Sequence, residues 1–476
     1  MPKIIGRKAE IQILDGLCQS QSAEFLAVYG RRRIGKTYLI SNYFKNKGLY
    51  FELTGTKTAT LSEQLKNFYQ EFQRLFLNES SAQPKSWADA FFQLKLAIEK
   101  INNKQKIILF FDELPWLAAP KSRFLPALEY IWNRHFSRMN NLILIVCGSA
   151  ASWMLHKIVN NKEGLYARLS VSLPLYPFDL KTIKEYLRLK HVLLNDRQIT
   201  ELYMCLGGVP KYFSYIKPGY SSVQSINELF FTPHGQLFLE FPKLFSSLFN
   251  NSKKHLKIVK ILGEKRYGIY QKELLMAANL PQSGNTSTIL EELEACGFIG
   301  ILPMFGKLTH ERKIRLIDEY SYFYLHWINP RRSSILNGQD QHYWESIFSS
   351  SKWNSWAGFS FESLCFKHIK QIKKKLGISG VCTNQSHWEN EYAQIDLIID
   401  RADHCINLIE IKFTQQEFVI NKDYADKLRI KREAFRDETK TKKSLFITML
   451  TPYGVKQNSY YQEMVQNQIL LKDLIN

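Results

Sequence analysis

The sequence predicts an α/β fold, with a doubly wound parallel sheet in the first third, a helical middle and a small second α/β domain at the C-terminus. Three observations predict it. Short apolar runs recur at Phe25–Tyr29, Lys106–Phe111 and Asn141–Cys147, each followed by Gly or acidic residues, as buried parallel strands are when they deliver polar loops to one sheet edge. Amphipathic helical periodicity takes over from Pro174 through Leu206. Two more strand runs, Ile395–Asp400 and Ile406–Phe413, stand far downstream. At 476 residues the chain is too long for one core, so several domains are expected.

Composition bounds the function classes. Hydrophobic residues make up 45% and aromatics 13%, which excludes a disordered chain. The 64 Lys+Arg against 44 Asp+Glu leave a formal charge of +20, a field that attracts polyanions, nucleic acid first and a membrane surface second. Such a charge is also compatible with simple solubility. The seven cysteines have no paired spacing, so neither a zinc site nor a disulfide framework is expected, and a reducing cytoplasm fits best. Met1 to Ile13 lacks a signal-peptide run and no stretch reaches about 18 apolar residues, so no membrane insertion is expected.

After the first strand comes Gly30, Arg31, Arg32, Arg33, Ile34, Gly35, Lys36 and Thr37, then the helical pattern Tyr38–Phe44. This is the strand, loop and helix context of a P-loop. Gly30 and Gly35 allow successive N–H groups to turn inward around phosphates, aided by the helix N-terminus. Lys36 is expected on the β- and γ-phosphates, Thr37 on Mg²⁺, and Tyr38 at the edge of the ATP site. The second strand ends in Asp112-Glu113, the Walker B pattern: Asp112 would hold Mg²⁺, and Glu113 would orient and deprotonate the attacking water. An acidic pair there can also cap a helix. The third strand leads to Ser149, as well placed to sense a γ-phosphate as to cap a helix, and Arg168 is a candidate arginine finger.

Together with Ile5-Gly6-Arg7 to Glu10, Cys147-Gly-Ser149 and Gly207-Gly-Val-Pro210, these motifs resemble the archaeal-type ATPases. Those are AAA-like P-loop proteins, related to the signal-transducing NTPases, found in archaea and bacteria. The resemblance spans nearly the whole chain. It implies ATP binding, turnover that is slow in switch-like members, and in many members a C-terminal domain resembling restriction endonucleases. Ala167 departs from the pattern, which has Gly before the arginine.

The resulting expectation is a P-loop core over 1–175, a helical lid over 176–250, a winged-helix domain over 251–328, a linker over 329–342, and a nuclease-like domain over 343–476. In the winged helix, helices are expected at Lys254–Leu262, Gln271–Ala278 and Ser287–Ala295, with a hairpin from Ile299 to Ile317. Asn285, Thr286, Ser287 and Thr288 would face a major groove, but Glu291, Glu292 and Glu294 on that helix oppose it. Lys307, Arg312, Lys313 and Arg315 on the hairpin favour phosphate contact instead. A purely structural or partner-binding module explains the segment equally well. The rings of Tyr320, Tyr322, Phe323, Tyr324 and Trp327 suit core packing more than base stacking.

In the last domain a helix is expected to begin at Phe361, and the two strands to pair around Arg401–Cys405. Strand alternation puts Glu410 and Lys412 on one face, with Ile409, Ile411 and Phe413 on the other. Asp396 and Glu410 would hold Mg²⁺ and Lys412 would activate water. This is similar to the Asp…Glu-x-Lys core of restriction-type nucleases, with Glu362 as the helical acid. Lys427, Arg429, Lys431, Arg432, Arg436, Lys440, Lys442 and Lys443 suit a phosphate backbone, or a solvated helix face. A final strand is expected over Lys443–Met449. The whole reads as an ATP-driven switch acting on nucleic acid, DNA ahead of RNA, with homo-oligomers in keeping with AAA-like proteins. The alternative is a signalling ATPase whose last domain binds a partner without catalysis.

Overall fold

The computed structural model describes residues 4–76, 82–101, 105–160, 165, 168–249, 251–265, 267–306 and 313–476. Ala167, Lys307 and Arg312 lie outside the described residues. The chain divides into two compact units, Met1–Pro177 and Phe178–Asn476. Among the described residues no helix is long and apolar enough to cross a membrane.

In the first unit, β1 (Glu24–Tyr29), β2 (Leu49–Thr54), β3 (Ile107–Asp112), β4 (Leu142–Gly148) and β5 (Val171–Pro174) form one sheet in the order β2-β3-β4-β1-β5. Every pairing is parallel. Alternate residues of β1, β3 and β4 feed two cores. Phe25, Ala27, Leu109, Phe111, Leu144 and Val146 pack on one face with the helices Leu61–Leu75, Trp87–Glu99 and Phe124–Arg134. Leu26, Val28, Ile108, Phe110, Ile143 and Ile145 pack on the other with Lys8–Gln19 and Lys36–Phe44. Burial on both faces is why β3 and β4 read as continuous apolar runs. Because β4 lies between β1 and β3, the carboxyl ends of all three strands open on the same sheet edge.

The second unit starts with helices Leu180–Leu189, Asp196–Leu206, Ser222–Phe230 and Glu240–Leu248. Between the second and third, a Cβ on Gly208 would lie 1.8 Å from Phe178 O, so only glycine permits that approach. Helix Ser252–Glu264, β6 (Ile269–Tyr270), helices Gln271–Ala277 and Gly284–Ala295, β7 (Ile299–Leu302) and β8 (Lys313–Leu316) follow, with an antiparallel sheet ordered β6-β8-β7. Tyr320, Phe323, Tyr324 and Trp327 are buried, with Trp344 and Trp356, in an aromatic core.

Three expectations change here. Residues expected as linker fold into the short helices Asn329–Arg331 and Arg332–Leu336. Buried Ile335 anchors them, and Arg331 ties them to the chain that follows, pairing with Asp340 at 3.2 Å and lying 3.5 Å over the Tyr343 ring. The helix expected from Phe361 begins earlier and spans Ser351–Lys367, capped by Ser350. It buries Trp353, Trp356, Phe359, Phe361 and Leu364, so it shows no clean polar face. The small sheet gains strands at both edges: β9 (Thr383–Glu389), β10 (Gln394–Arg401), β11 (Cys405–Ile411), β12 (Ser444–Thr451) and β13 (Asn467–Leu470), ordered β13-β12-β11-β10-β9. β10 pairs antiparallel with β9 and β11, whereas β11, β12 and β13 run parallel.

Candidate functional site

The loop after β1 is held in a shape that only this sequence pattern allows. Gly30 has φ +142°, and a Cβ there would meet Leu175 O at 2.3 Å and Ile34 Cδ1 at 2.9 Å. Gly35, at φ +91°, caps helix Lys36–Phe44 with no side chain, leaving the first helical N–H groups and the positive helix end directed at the loop. Lys36 is buried and donates from Nζ to Gly30 O and Arg31 O, both at 2.9 Å. Arg31 is buried, Arg32 and Arg33 are half-buried, Ile34 sits in the core, and Tyr38 is exposed.

A residue quoted above only for its motif also acts here. Arg7 is buried, pairs with Glu10 at 3.0 Å, and donates from Nη2 to Ile34 O at 3.0 Å and Tyr176 O at 2.9 Å. It straps the loop to the chain that leaves β5. Burial pushes its guanidinium below its ordinary value, against the pull of Glu10. The only sequence signal for this role was the Gly6-Arg7 pair.

Opposite the loop, Thr37 Oγ1 donates to Asp112 Oδ2 at 2.6 Å, and Asp112 Oδ1 accepts from Glu113 N at 2.9 Å. Glu113 adopts φ +47°, ψ +48°, a strained backbone for a non-glycine residue, of the kind found where a side chain must point a particular way. Its Oε2 accepts from Ser149 Oγ at 2.8 Å and Ser149 N at 3.3 Å. Ser149 is therefore bound to Glu113, and the short helix Ala151–Met154 has no side-chain cap. Arg168 is exposed near the start of β5, and among the described residues its side chain makes no hydrogen bond to the loop.

A second cluster lies in the other unit. Glu410 on β11 is buried; its Oε1 accepts from Lys412 Nζ at 2.7 Å and Tyr424 OH at 3.1 Å, and its Oε2 accepts from Lys431 Nζ at 2.6 Å. Asp396 on β10 is buried, and its Oδ2 accepts from Ile411 N at 2.9 Å. Burial and the nearby Glu410 push Asp396 up to about 6, against Lys412 and Lys431. Burial and Asp396 push Glu362 up to about 8, against Arg315 and Lys412. Burial would also raise Glu410, but Lys412 and Lys431 outweigh it and hold this carboxylate below its usual range. Among the described residues no group of three or more His, Cys, Asp or Glu side chains is arranged to hold a metal ion.

Two of the hairpin cations expected to touch phosphates, Lys313 and Arg315, turn inward. Lys313 is buried and paired with Glu389, and Arg315 is buried, donating to Ser363 with its guanidinium 4.9 Å from the Phe359 ring. β8 is covered on both faces, so its polar side chains found internal partners. Thr286, one of the four groove candidates, is buried, and Glu292 pairs with His255 at 2.7 Å. In the basic stretch, Lys431 joins Glu410, Arg429 pairs with Asp426 and Glu463, and Lys443 pairs with Asp400, while Lys427, Arg436, Lys440 and Lys442 stay exposed.

A parallel sheet with a glycine-bounded phosphate loop after β1, and a Thr37–Asp112 pair closing it from β3, defines a P-loop ATPase domain. Residues 4–216 belong to the family described as an ATPase domain predominantly from Archaea, and residues 324–426 to the one described as Archaea bacterial proteins of unknown function. An uncharacterized protein of Methanocaldococcus jannaschii is 23% identical over 438 residues, 89% of this chain and 91% of its own. An uncharacterized ATP-binding protein of the same organism is 40% identical over 43 residues, 9% of this chain and 73% of its own. Among solved structures, a Walker-type ATPase of Pyrococcus abyssi aligns with a TM-score of 0.48 at 18% identity, over 68% of this chain and 96% of that one. The ORC2 protein of Aeropyrum pernix in ADPNP–ADP complexes aligns with a TM-score of 0.42 at 13% identity, over 71% and 96%.

Proposed function

We propose that the chain is an ATP-driven switch whose Mg²⁺-dependent hydrolysis of ATP controls a nucleic-acid-binding second unit, with DNA the favoured partner over RNA. The observation that carries the ATPase half is the convergence of Lys36, the Thr37–Asp112 pair and the Ser149–Glu113 pair on one sheet edge. The ATP-binding relative supports it. Lys36, satisfied by two loop carbonyls, exchanges them for the β- and γ-phosphates, and the loop amides of Gly30 to Thr37 cradle the same groups. The hydroxyl of Thr37 and the carboxylate of Asp112 suit Mg²⁺, which neutralises phosphate charge when bound. Glu113 orients the attacking water and takes its proton. Exposed Arg168 suits a finger offered to a neighbouring copy, in keeping with a homo-oligomer. A cytoplasmic location accords with this reading.

For the second unit, the order helix, strand, two helices and hairpin over Ser252–Leu316 supports a winged-helix reading. Asp396 and Glu410 on adjacent strands, Lys412 just after the second of them and Glu362 on the helix before them suit a nuclease-like centre for phosphodiesters. One observation favours a second reading, a C-terminal domain that binds a partner and cuts nothing: both oxygens of Glu410 are engaged by lysines. The test is Mg²⁺-dependent cleavage of labelled single- and double-stranded DNA and RNA, with and without ATP, by wild type, Lys412→Ala and Lys36→Ala. Cutting lost in Lys412→Ala supports the nuclease, and its loss in Lys36→Ala supports control by ATP. No cutting by protein that binds ATP supports the second reading.

A further inference from the structure

The lysine at the centre of the second unit that the sequence pattern did not foresee is Lys431. It reaches Glu410 from helix Lys422–Thr439, which also supplies Tyr424. We propose that Lys431 stands in the place a divalent cation would take against Glu410, so that cation binding requires the Lys431 side chain to swing out. The inference rests on the nuclease-like reading of Asp396 and Glu410.

The donor types are right for Mg²⁺, which takes hard oxygen ligands. Their surroundings as folded are not. Both Glu410 oxygens are filled, Oε2 by Lys431 at 2.6 Å and Oε1 by Lys412 at 2.7 Å together with Tyr424. The three carboxylates Glu362, Asp396 and Glu410 face three cations, Arg315, Lys412 and Lys431. The two ammonium groups seated on Glu410 repel a dication and leave neither carboxylate oxygen open to it.

Lys431 is the one that can leave. Lys412 follows β11 directly and has Glu410, Asp396 and Glu362 around it. Lys431 instead reaches across from a helix, and among the described residues its ion pair is with Glu410 alone. The helix itself is anchored further along, where Phe435 packs on Trp388 at 5.4 Å and Phe305 at 4.9 Å. Release is thus a side-chain motion. With Lys431 withdrawn, Glu410 Oε2 is freed and the cluster carries one positive charge fewer.

The test counts bound Mn²⁺ by EPR on the full-length chain without nucleotide, comparing wild type, Lys431→Met and the double variant Lys431→Met/Asp396→Asn. Lys431→Met should gain one Mn²⁺ site at least tenfold tighter than any wild-type site in this unit, and the double variant should lose it. Lys431→Gln should behave like Lys431→Met, and Lys431→Arg like wild type, which keeps the test decisive if one variant folds poorly. Equal Mn²⁺ binding by wild type, Lys431→Met and Lys431→Gln overturns the proposal. Cleavage assays on the same proteins separate it from the reading beneath it: a gained Mn²⁺ site with no cutting of DNA or RNA refutes the nuclease and leaves the role of Lys431 standing.

Discussion

Ser149→Ala removes one atom from the edge of the ATP site and should slow chemistry without loosening ATP. In the folded chain Glu113 Oε2 takes two hydrogen bonds from Ser149, the hydroxyl at 2.8 Å and the backbone N–H at 3.3 Å. The substitution deletes the shorter and keeps the longer. A hydrogen bond to a charged group contributes about 1.5–3 kcal/mol; with the backbone bond retained and Glu113 half-buried, the lower end applies. A loss of about 1–2 kcal/mol in positioning the general base corresponds to a fall in kcat of roughly 5- to 30-fold. Ser149 is buried and small, so alanine fits and the fold should be kept. Phosphate release under saturating ATP gives kcat, and titration with a fluorescent ATP analogue gives Kd, expected within about twofold of wild type on this account. Ser149→Thr, which keeps the hydroxyl, should recover part of the rate. Unchanged kcat in Ser149→Ala would refute the reasoning, as would a weakened Kd at unchanged kcat, which would mean that the hydroxyl serves binding alone.

Gly208→Ala places a Cβ 1.8 Å from Phe178 O and 2.8 Å from Phe178 N, backbone atoms that cannot yield cheaply. It should destabilise the second unit by about 2–3 kcal/mol, visible as a lowered urea midpoint; an unchanged midpoint contradicts the close approach. Glu362 is pushed up to about 8, whereas an unfolded Glu titrates near about 4.3. Between those pH values the folded chain keeps a proton that the unfolded chain has lost, so stability falls as pH rises through this window, by up to about 1.4 kcal/mol per pH unit. Glu362→Gln, which mimics the protonated acid, should flatten that slope in urea melts at pH 5, 7 and 8.5; an equal slope in both proteins counts against the buried acid.

The parts of the fold that could be read in the sequence are those fixed locally. β1, β3 and β4 are apolar along their middles because helices cover both faces, and the glycines of the loop are demanded by its own backbone angles. Alternation alone put Glu410 and Lys412 on one face, and they form an ion pair. What could not be read depends on what arrives from elsewhere in the chain. Lys313 and Arg315 look like surface cations until Glu389 and Ser363 are set against them. Lys431 looks like one more charge on a basic helix until Glu410 is found beneath it. Residues 329–342 look like a linker because Ile335, which anchors them, and its neighbour Leu336 are the two aliphatic residues among polar turn formers. Ser149 could be narrowed to two partners but not one, since a strand end serves a cap and a carboxylate equally well.

The central claim is that this chain hydrolyses ATP between the loop Gly30–Thr37 and the acids Asp112 and Glu113. Its most direct test is single-turnover release of phosphate from ATP with Mg²⁺ by wild type, Glu113→Gln and Lys36→Ala, with ATP binding measured on the same samples. The account predicts Mg²⁺-dependent release by wild type, a loss of at least about 100-fold in Glu113→Gln with ATP still bound, and loss of binding in Lys36→Ala. Glu113→Gln turning over at the wild-type rate, or Lys36→Ala binding ATP as tightly as wild type, would contradict it.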